Sequence, residues 1–547
     1  MSDLAGALYD SLLRLLPPPA DSRQRTLLLE LIQALSSALE RGELGLDLNA
    51  EPPEEVEAAH WPAQHLRALQ ASGWLVDSSA LPPPLEQPGT PQLLSEAPIV
   101  QDGPWLRWRR WHEQLQHCLE ALLQRAAQPL EQAASSEQIS AACAAAASAG
   151  LDRDQQAAVA ALQQHRLVLL LGGPGTGKTS TVAQMLTAAQ QLQPQLRLHL
   201  AAPTGKAAAR LAAAINRPEL PCTTLHRLLE AQGEGRFRRN ARQPLDLDLV
   251  VVDEVSMVDL PLMRALLEAL PDQARLLLVG DAGQLPPVGP GAVLEELCRP
   301  QRRQRLGAAV VELRTTYRNN GAIAAMAEVL RQQPAGSSLL ERLLPELRQL
   351  DRSANLRWRQ ASLQQLPDTL LRPLRQHQQN LTALAQQLRW DGELADAADS
   401  EALLRELERL IALSPLRQGP WGVEAVHRAL LGPLAGAPLQ RWPLGTPVLN
   451  RLNRPEQGLA NGDIGVLVER NDGERLVLMA GQRLLHPARL GGAEPALALT
   501  VHKAQGSQYG TVLLLLPPSR QRDPRLLYTG LTRARNHALL VTPAEAT

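Results

Sequence analysis

The sequence predicts an α/β protein built on two parallel-sheet domains, and three observations carry that expectation. First, Leu167–Leu171 is a short apolar run, Gly172–Thr179 reads GGPGTGKT, and Ser180–Gln191 contains neither Pro nor Gly. Strand, glycine-rich turn and helix follow one another there. Second, short β-type runs alternate with helical stretches from Leu151 onward: Leu167–Leu171, Leu196–Ala201, Leu247–Val252, Leu276–Val279 and Val310–Leu313. That alternation is the pattern of a doubly wound parallel sheet. Third, further runs at Leu410–Leu413, Ala498–Val501, Val512–Leu516 and Ala538–Val541 point to a second such sheet. Short strands punctuated by Gly, Pro and Asn between about 440 and 490 suggest a small β module inserted into it.

In chain order, residues 1–110 are Leu-rich and broken by prolines at 17–19, 52–53 and 82–84, with helical patches such as Ser22–Glu40. A mainly helical N-terminal domain is expected, with no catalytic signature and a docking role. Trp105, Trp108 and Trp111 recur every third residue, which fits one face of a helix. Residues 111–150 are read as a linker or connecting helix; the Ala-, Ser- and Gln-rich part from 129 is a linker or weak helix. The first α/β domain is placed at 151–318. The second is placed at 319–547, mostly helical over 320–410, with the β insertion at about 441–495.

A chain of 547 residues is too long for one core, which agrees with this division. Its net charge of −1 gives no global signal for a polyanionic partner. Local clusters do more: RFRRNAR at 236–242 and RPQRRQR at 299–305 are either solvated surface or phosphate contacts. The four cysteines form no CxxC pair, so neither a zinc site nor a disulfide framework is indicated. No apolar run approaches a membrane span, and a cytoplasmic protein without a membrane partner is expected.

GGPGTGKT is a complete phosphate-binding loop. Glycines let the backbone close around a phosphate chain with N–H groups pointing inward, and the following helix adds positive potential. Lys178 would reach the β- and γ-phosphates of ATP, and Thr179 would hold Mg²⁺. Val250–Val252 leads into Asp253 and Glu254. A strand-end Asp binds Mg²⁺, and a neighbouring Glu activates water, so the pair favours hydrolysis. Gln284, in GDAGQLPPVG, is suited to sense the γ-phosphate, and the prolines after it stiffen the loop. Thr204, in APTGKA, begins a helix whose N-terminus could hold a DNA phosphate. Leu527–Arg535 reads as a helix with arginines at its end, and Arg533 could reach the γ-phosphate from the second domain, with Arg318 in TYR a second candidate for that contact.

GGPGTGKT, APTGKAA, VVDEVSM, GDAGQLPPVG, TYR, TVHKAQGS and YTGLTRAR occur in that order. The set resembles superfamily 1 DNA helicases, and within them the RecD family, the alpha subunit of exodeoxyribonuclease V. The resemblance covers roughly residues 150–547 and thins to a loose match around Trp105–Leu122. It implies two RecA-like P-loop NTPase domains, an SH3-like β insertion around Asn461–Gly465, and 5′-to-3′ movement on single-stranded DNA. It also implies action on duplex DNA and assembly with RecB-like and RecC-like subunits in double-strand-break repair. Residue by residue it implies an ATP site of Gln155, Gly172, Gly173, Pro174, Gly175, Thr176, Gly177, Lys178, Thr179 and Ser180. Mg²⁺ would lie on Thr179 and Asp253, and catalysis would rest on Lys178, Glu254, Gln284, Arg318 and Arg533. DNA would be met by Pro203, Thr204, Lys206, Thr224, His226, Thr500, His502, Lys503 and Ser507. Gln508 stands where the family commonly has an acidic residue on the ribose, and Ala504 replaces a frequent Ser. Two rivals follow: a standalone RecD-like helicase, disfavoured by the short proline-broken N-terminal region, and an assembly subunit whose motor is idle. No nuclease constellation is present outside the motor.

Overall fold

The computed structural model describes residues 3–15, 21–81, 97–131, 133–233, 235–317, 321–333, 339–350, 354–452, 459–517 and 523–544. Arg318 and the proline runs at 17–19 and 82–84 lie outside the described residues.

Helices Asp3–Leu15, Ser22–Glu40 and Ala63–Ser72 dominate the N-terminal region, as the sequence predicts. They pack on a sheet the sequence did not announce: β1 (Gly45–Asp47), β2 (Leu75–Asp77), β3 (Ile99–Asp102) and β4 (Trp105–Trp108), in the order β1-β4-β3-β2. The tryptophan repeat is therefore not one helix face. Trp105 and Trp108 lie on β4, and the helix begins only at Arg109. Strand alternation explains the burial: Leu106 and Trp108 face the N-terminal core, while Arg107 faces the opposite way.

The connecting segment is helical, the second of its expected forms. Helix Arg109–Ala127 buries Leu115, Leu119 and Leu122 in the same core as Leu169, Val250 and Leu278. Helix Ser136–Ser148 opens on a full capping box between Ser135 and Gln138. The N-terminal region also enters the next domain. Leu44 belongs to that same core, and Gly291 N–H donates to Gly42 C=O at 3.0 Å. Arg107, 1% exposed, donates to Glu296 at 2.6 Å and to Asp102 at 2.8 Å.

The first α/β domain contains β5 (Leu167–Gly172), β6 (Leu198–Ala202), β7 (Cys222–Thr224), β8 (Leu249–Val252), β9 (Arg275–Gly280) and β10 (Val310–Leu313). The order is β10-β5-β9-β8-β6-β7, with every pair parallel. The second domain has β11 (Leu356–Ala361), a small hairpin of β12 (Trp390–Asp391) and β13 (Leu394–Ala395), and β14 (Leu410–Ser414). An antiparallel module follows: β15 (Pro447–Leu449), β16 (Ile464–Glu469), β17 (Arg475–Met479), β18 (Arg483–Leu485) and β19 (Glu494–Pro495). The chain then returns through β20 (Ala498–Thr500), β21 (Tyr509–Leu515) and β22 (Ala534–Pro543) to a parallel sheet of order β11-β22-β21-β14-β20. The protein is thus α/β with two parallel RecA-like sheets, as expected. Two details differ. Residues 320–410 include β11, whose only fully buried side chain is Leu356, so it carries no apolar signal. The helix expected over 527–535 ends at Leu531, and Arg535 lies on β22, where it pairs with Glu408 at 2.6 Å.

Candidate functional site

β5 runs directly into the glycine-rich loop, and the helix Lys178–Leu192 leaves it. Gly175 and Gly177 both take φ of +80°, a left-handed conformation that side chains resist. A Cβ on Gly172 would fall 2.5 Å from Thr176 Oγ1, so the first glycine is fixed by close approach. Lys178 Nζ donates to Gly172 C=O at 2.7 Å and Gly173 C=O at 3.0 Å, folding its ammonium over the loop. Thr179 is half-buried behind it and Ser180 is exposed. Gln155 Nε2 donates to Thr176 C=O at 3.3 Å, while its oxygen accepts from Asp152 N–H. The Gln segment is thereby locked to the loop.

One strand, β9, separates β5 from β8. The end of β8 therefore places Asp253 and Glu254 across from the loop. Glu254 has φ of +52°, unusual for a non-glycine residue, and its N–H donates to Asp253 Oδ1 at 2.9 Å. Asp253 keeps a sliver of accessible surface, yet burial and then the Glu254 charge push its carboxyl up to about 6, against the pull of Lys178.

The second domain closes over this edge. Arg533 is 2% exposed, and its guanidinium donates to Thr529 C=O at 3.1 Å and Ser507 C=O at 3.3 Å. Burial lowers its pKa, and Glu254 is the largest opposing influence, so the two lie within electrostatic reach. Gln284 is 6% exposed; its Nε2 donates to Asp281 at 3.3 Å, and its Oε1 is a buried acceptor without a hydrogen bond. The second domain grips the same loop: Leu285 N–H donates to Thr529 Oγ1 at 2.9 Å, and Gln505 Nε2 donates to Leu285 C=O at 3.1 Å.

Three groups here were given no role from the sequence, although Tyr317 and Tyr528 lie within the TYR and YTGLTRAR motifs. Tyr528 donates to Asp281 at 2.7 Å and accepts from Arg331 Nη2 at 2.8 Å. Arg331, at the end of helix Ala322–Arg331, lies so close to the phosphate loop that a Cβ on Gly173 would collide with it. A cavity of about 450 Å³ beside the loop is lined by Gly172, Gly173, Asp281, Arg303, Arg331 and Tyr528. Tyr317 is 52% exposed beside the loop; its N–H donates to Gly175 C=O at 2.8 Å and its hydroxyl to Asp152 at 2.7 Å. The TYR motif marked this segment, but the contact to the loop depends on the fold.

The residues expected to meet DNA follow strand ends of both sheets, and Thr204 and Lys206 lie where the two domains meet. Pro203 and Thr204 follow β6; Thr204 Oγ1 accepts from Ala207 N–H at 3.2 Å and caps its helix. A Cβ on Gly506 would be 3.4 Å from that hydroxyl, so the two domains meet there. Lys206 lies over the Tyr509 ring at 5.3 Å. Thr224 caps the next turn through Arg227 N–H, and His226 is exposed. Thr500 Oγ1 accepts from Lys503 N–H at 3.3 Å, and Lys503 Nζ pairs with Glu494 at 2.9 Å. Burial lowers the His502 pKa, so the ring is neutral at pH 7. Ser507 is only 2% exposed and turned into the seam, the least accessible of the set.

Residues 155–290 match the family model of an AAA domain, and residues 495–541 match that of the UvrD-like helicase C-terminal domain. The chain is 34% identical to the RecBCD enzyme subunit RecD of Mycolicibacterium smegmatis over 94% of its own length and 95% of that protein. It is 38% identical to the RecBCD enzyme subunit RecD of Mycobacterium tuberculosis over 72% of this chain and 69% of the relative. It is also 34% identical to the ATP-dependent RecD2 DNA helicase of Deinococcus radiodurans, covering 73% of this chain but half of that protein. Among solved structures, Bacteroides Pif1 bound to ssDNA aligns with 73% of this chain and 93% of its own, at 18% identity and a TM-score of 0.39. Near-full-length identity of this order, together with the ordered helicase motifs in their cleft, makes the chain a member of the RecD family.

Proposed function

We infer that this ATP-dependent DNA helicase moves 5′ to 3′ on single-stranded DNA as the motor subunit of an exodeoxyribonuclease V-type complex. Its partners would be RecB-like and RecC-like subunits, and its setting the bacterial cytoplasm, at the nucleoid. Among the described residues no helix is long and apolar enough to cross a membrane. The observation that carries the motor reading is the cleft. The phosphate loop, Asp253, Glu254 and Gln284 come from one sheet, and Arg331, Tyr528 and Arg533 reach them from the other.

A divalent cation suits the donor set. Two adjacent carboxylates at a strand end, one pushed up to about 6, call for positive charge. No group of three or more His, Cys, Asp or Glu side chains able to hold a metal occurs among the described residues. Mg²⁺ takes one or two protein oxygens and completes its shell with water and phosphate, so few protein ligands suffice. Thr179 and Asp253 would hold it, and when bound it supplies charge neutralisation at the phosphates.

The chain's own groups do the rest. The N–H groups of Gly175 to Thr179 cradle the phosphates, and Lys178 transfers its ammonium from the loop carbonyls to them. Gln155 reads the adenine edge, and the Tyr317 ring offers it a stacking face. Glu254 accepts a proton from the attacking water. Gln284 Oε1, unpaired now, takes a hydrogen bond from that water. Arg533 balances the charge that develops on the phosphoryl group. Loss of that group frees Gln284 and Arg533, and the grip of Gln505 and Thr529 on Leu285 passes the change to the second domain. Repeated closure and opening of the cleft would advance the protein along the strand. The test is ATPase activity of the full chain with and without single-stranded DNA, joined to pull-down with RecB-like and RecC-like subunits. Absence of DNA-stimulated hydrolysis would refute the motor, and failure to co-purify would refute the assembly.

A further inference from the structure

We propose that Arg417, Arg451 and Lys503 form a subsite for the phosphates of single-stranded DNA, with Glu494 as the counter-ion that the strand displaces. The proposal rests on the DNA-helicase reading and adds a site to it.

The topology brings these residues together. β14 and β20 are parallel neighbours. Ligands of open parallel sheets bind in the crevice beyond the carboxyl ends of the strands. β14 ends at Ser414 and Arg417 follows; β20 ends at Thr500 and Lys503 follows. Arg451 comes from the inserted module, just past β15. All three converge on one carboxylate of β19: Lys503 Nζ at 2.9 Å, Arg417 Nη2 at 2.8 Å and Arg451 Nη1 at 3.0 Å from Glu494.

A single carboxylate with three cations leaves an excess of positive charge, of which Glu424 neutralises part through Arg417 at 3.1 Å. Arg417, Lys503 and Glu494 line a cavity of about 650 Å³, together with His427, Arg428 and Thr500. Thr500 and Lys503 already belong to the proposed DNA-contacting set, so the cavity shares two residues with it. The side chains remain accessible: 52% for Arg417, 42% for Arg451 and 32% for Lys503. Ion pairs this exposed hold weakly and yield readily to a polyanion. Arginine forks also match phosphate geometry in a way that a purely structural clamp does not require.

The experiment measures binding of a fluorescent oligothymidylate to the full chain by anisotropy across a salt series, without nucleotide. Replacing both Arg417 and Arg451 by Gln should weaken binding and reduce the slope of log affinity against log salt by about 1.4, near 0.7 per phosphate contact. Glu494→Gln should instead tighten binding at low salt, by roughly two- to fivefold, the range an exposed charge pair is worth. An unchanged slope in the double variant, or weaker binding by Glu494→Gln, overturns the subsite while leaving the helicase reading standing. A wild-type chain that binds no oligothymidylate overturns both. Melting temperatures of the variants within a degree or so of wild type confirm that exposed side chains were changed without unfolding.

Discussion

Replacing Asp253 by Asn should make the nucleotide-free protein more stable while destroying its activity. Burial and the Glu254 charge push the carboxyl up to about 6 from the usual 3.8, and each tenfold change in proton affinity corresponds to about 1.4 kcal/mol. The folded protein holds this proton more tightly than the unfolded chain. Stability is therefore gained as pH falls from about 6 towards 4, and lost as pH rises through that window. Above pH 7 the full penalty, at most about 3 kcal/mol, falls on the folded state. Asp253 retains some accessible surface, through which solvent screens its charge, so the working expectation is about 1–2 kcal/mol. For a domain of this size that raises the first melting transition by about 3–6 °C at pH 7.5. At pH 5 the wild-type carboxyl is protonated and the difference should shrink. With ATP and Mg²⁺ the order should reverse, because ligand binding at a hundred times Kd adds about 2.7 kcal/mol to the protein that binds. Differential scanning fluorimetry at both pH values, with and without nucleotide, reads all three. An Asn variant that melts at or below wild type at pH 7.5 without nucleotide would refute the reasoning.

Lys178→Gln should leave the fold intact, because the ammonium contacts only loop carbonyls, and should abolish ATP hydrolysis; near-normal turnover in a folded variant would remove Lys178 from the site. Glu254→Gln should keep ATP affinity within a few-fold by equilibrium binding and lose turnover, whereas lost binding would assign Glu254 another role. Thr204→Ala with His502→Ala should lower DNA stimulation of the ATPase more than basal hydrolysis, since neither touches the phosphate loop; equal loss of both would place them in the nucleotide site. Arg107→Met should lower stability by about 2–4 kcal/mol, at the low side of a broken buried pair because Arg299 and Arg302 still reach Glu296; an unchanged melting curve would show that the N-terminal region is only loosely attached.

That last expectation revises what the sequence suggested. The helices of the N-terminal region are legible in its Leu-rich patches, and Ser22–Glu40 is found as read. Its attachment is not legible. The strands β1 to β4 are three or four residues long, too short for alternation to stand out, and the tryptophan spacing imitates a helix across a strand-to-helix junction. Leu44, Gly42 and Arg107 reach the motor through pairings far apart in sequence. The phosphate loop, Asp253, Glu254, Gln284 and Arg533, which the fold brings to one cleft, are marked in the sequence, because close backbone approach and strand-end carboxylates dictate residue types at fixed spacing. Arg331 and Glu494 are not marked there, because an arginine on a helix or a glutamate on a short strand acquires meaning only from what the fold sets beside it.

The central claim is a motor that converts ATP hydrolysis in this cleft into directed movement along DNA. A strand-displacement assay tests it most directly, using duplexes with a single-stranded tail at either the 5′ or the 3′ end, with the full chain and its Lys178→Gln variant in ATP and Mg²⁺. Unwinding of the 5′-tailed duplex by the wild-type chain, lost in the variant and absent from the 3′-tailed duplex, is the predicted result. Unwinding only from 3′ tails, or unwinding that survives Lys178→Gln, would contradict it.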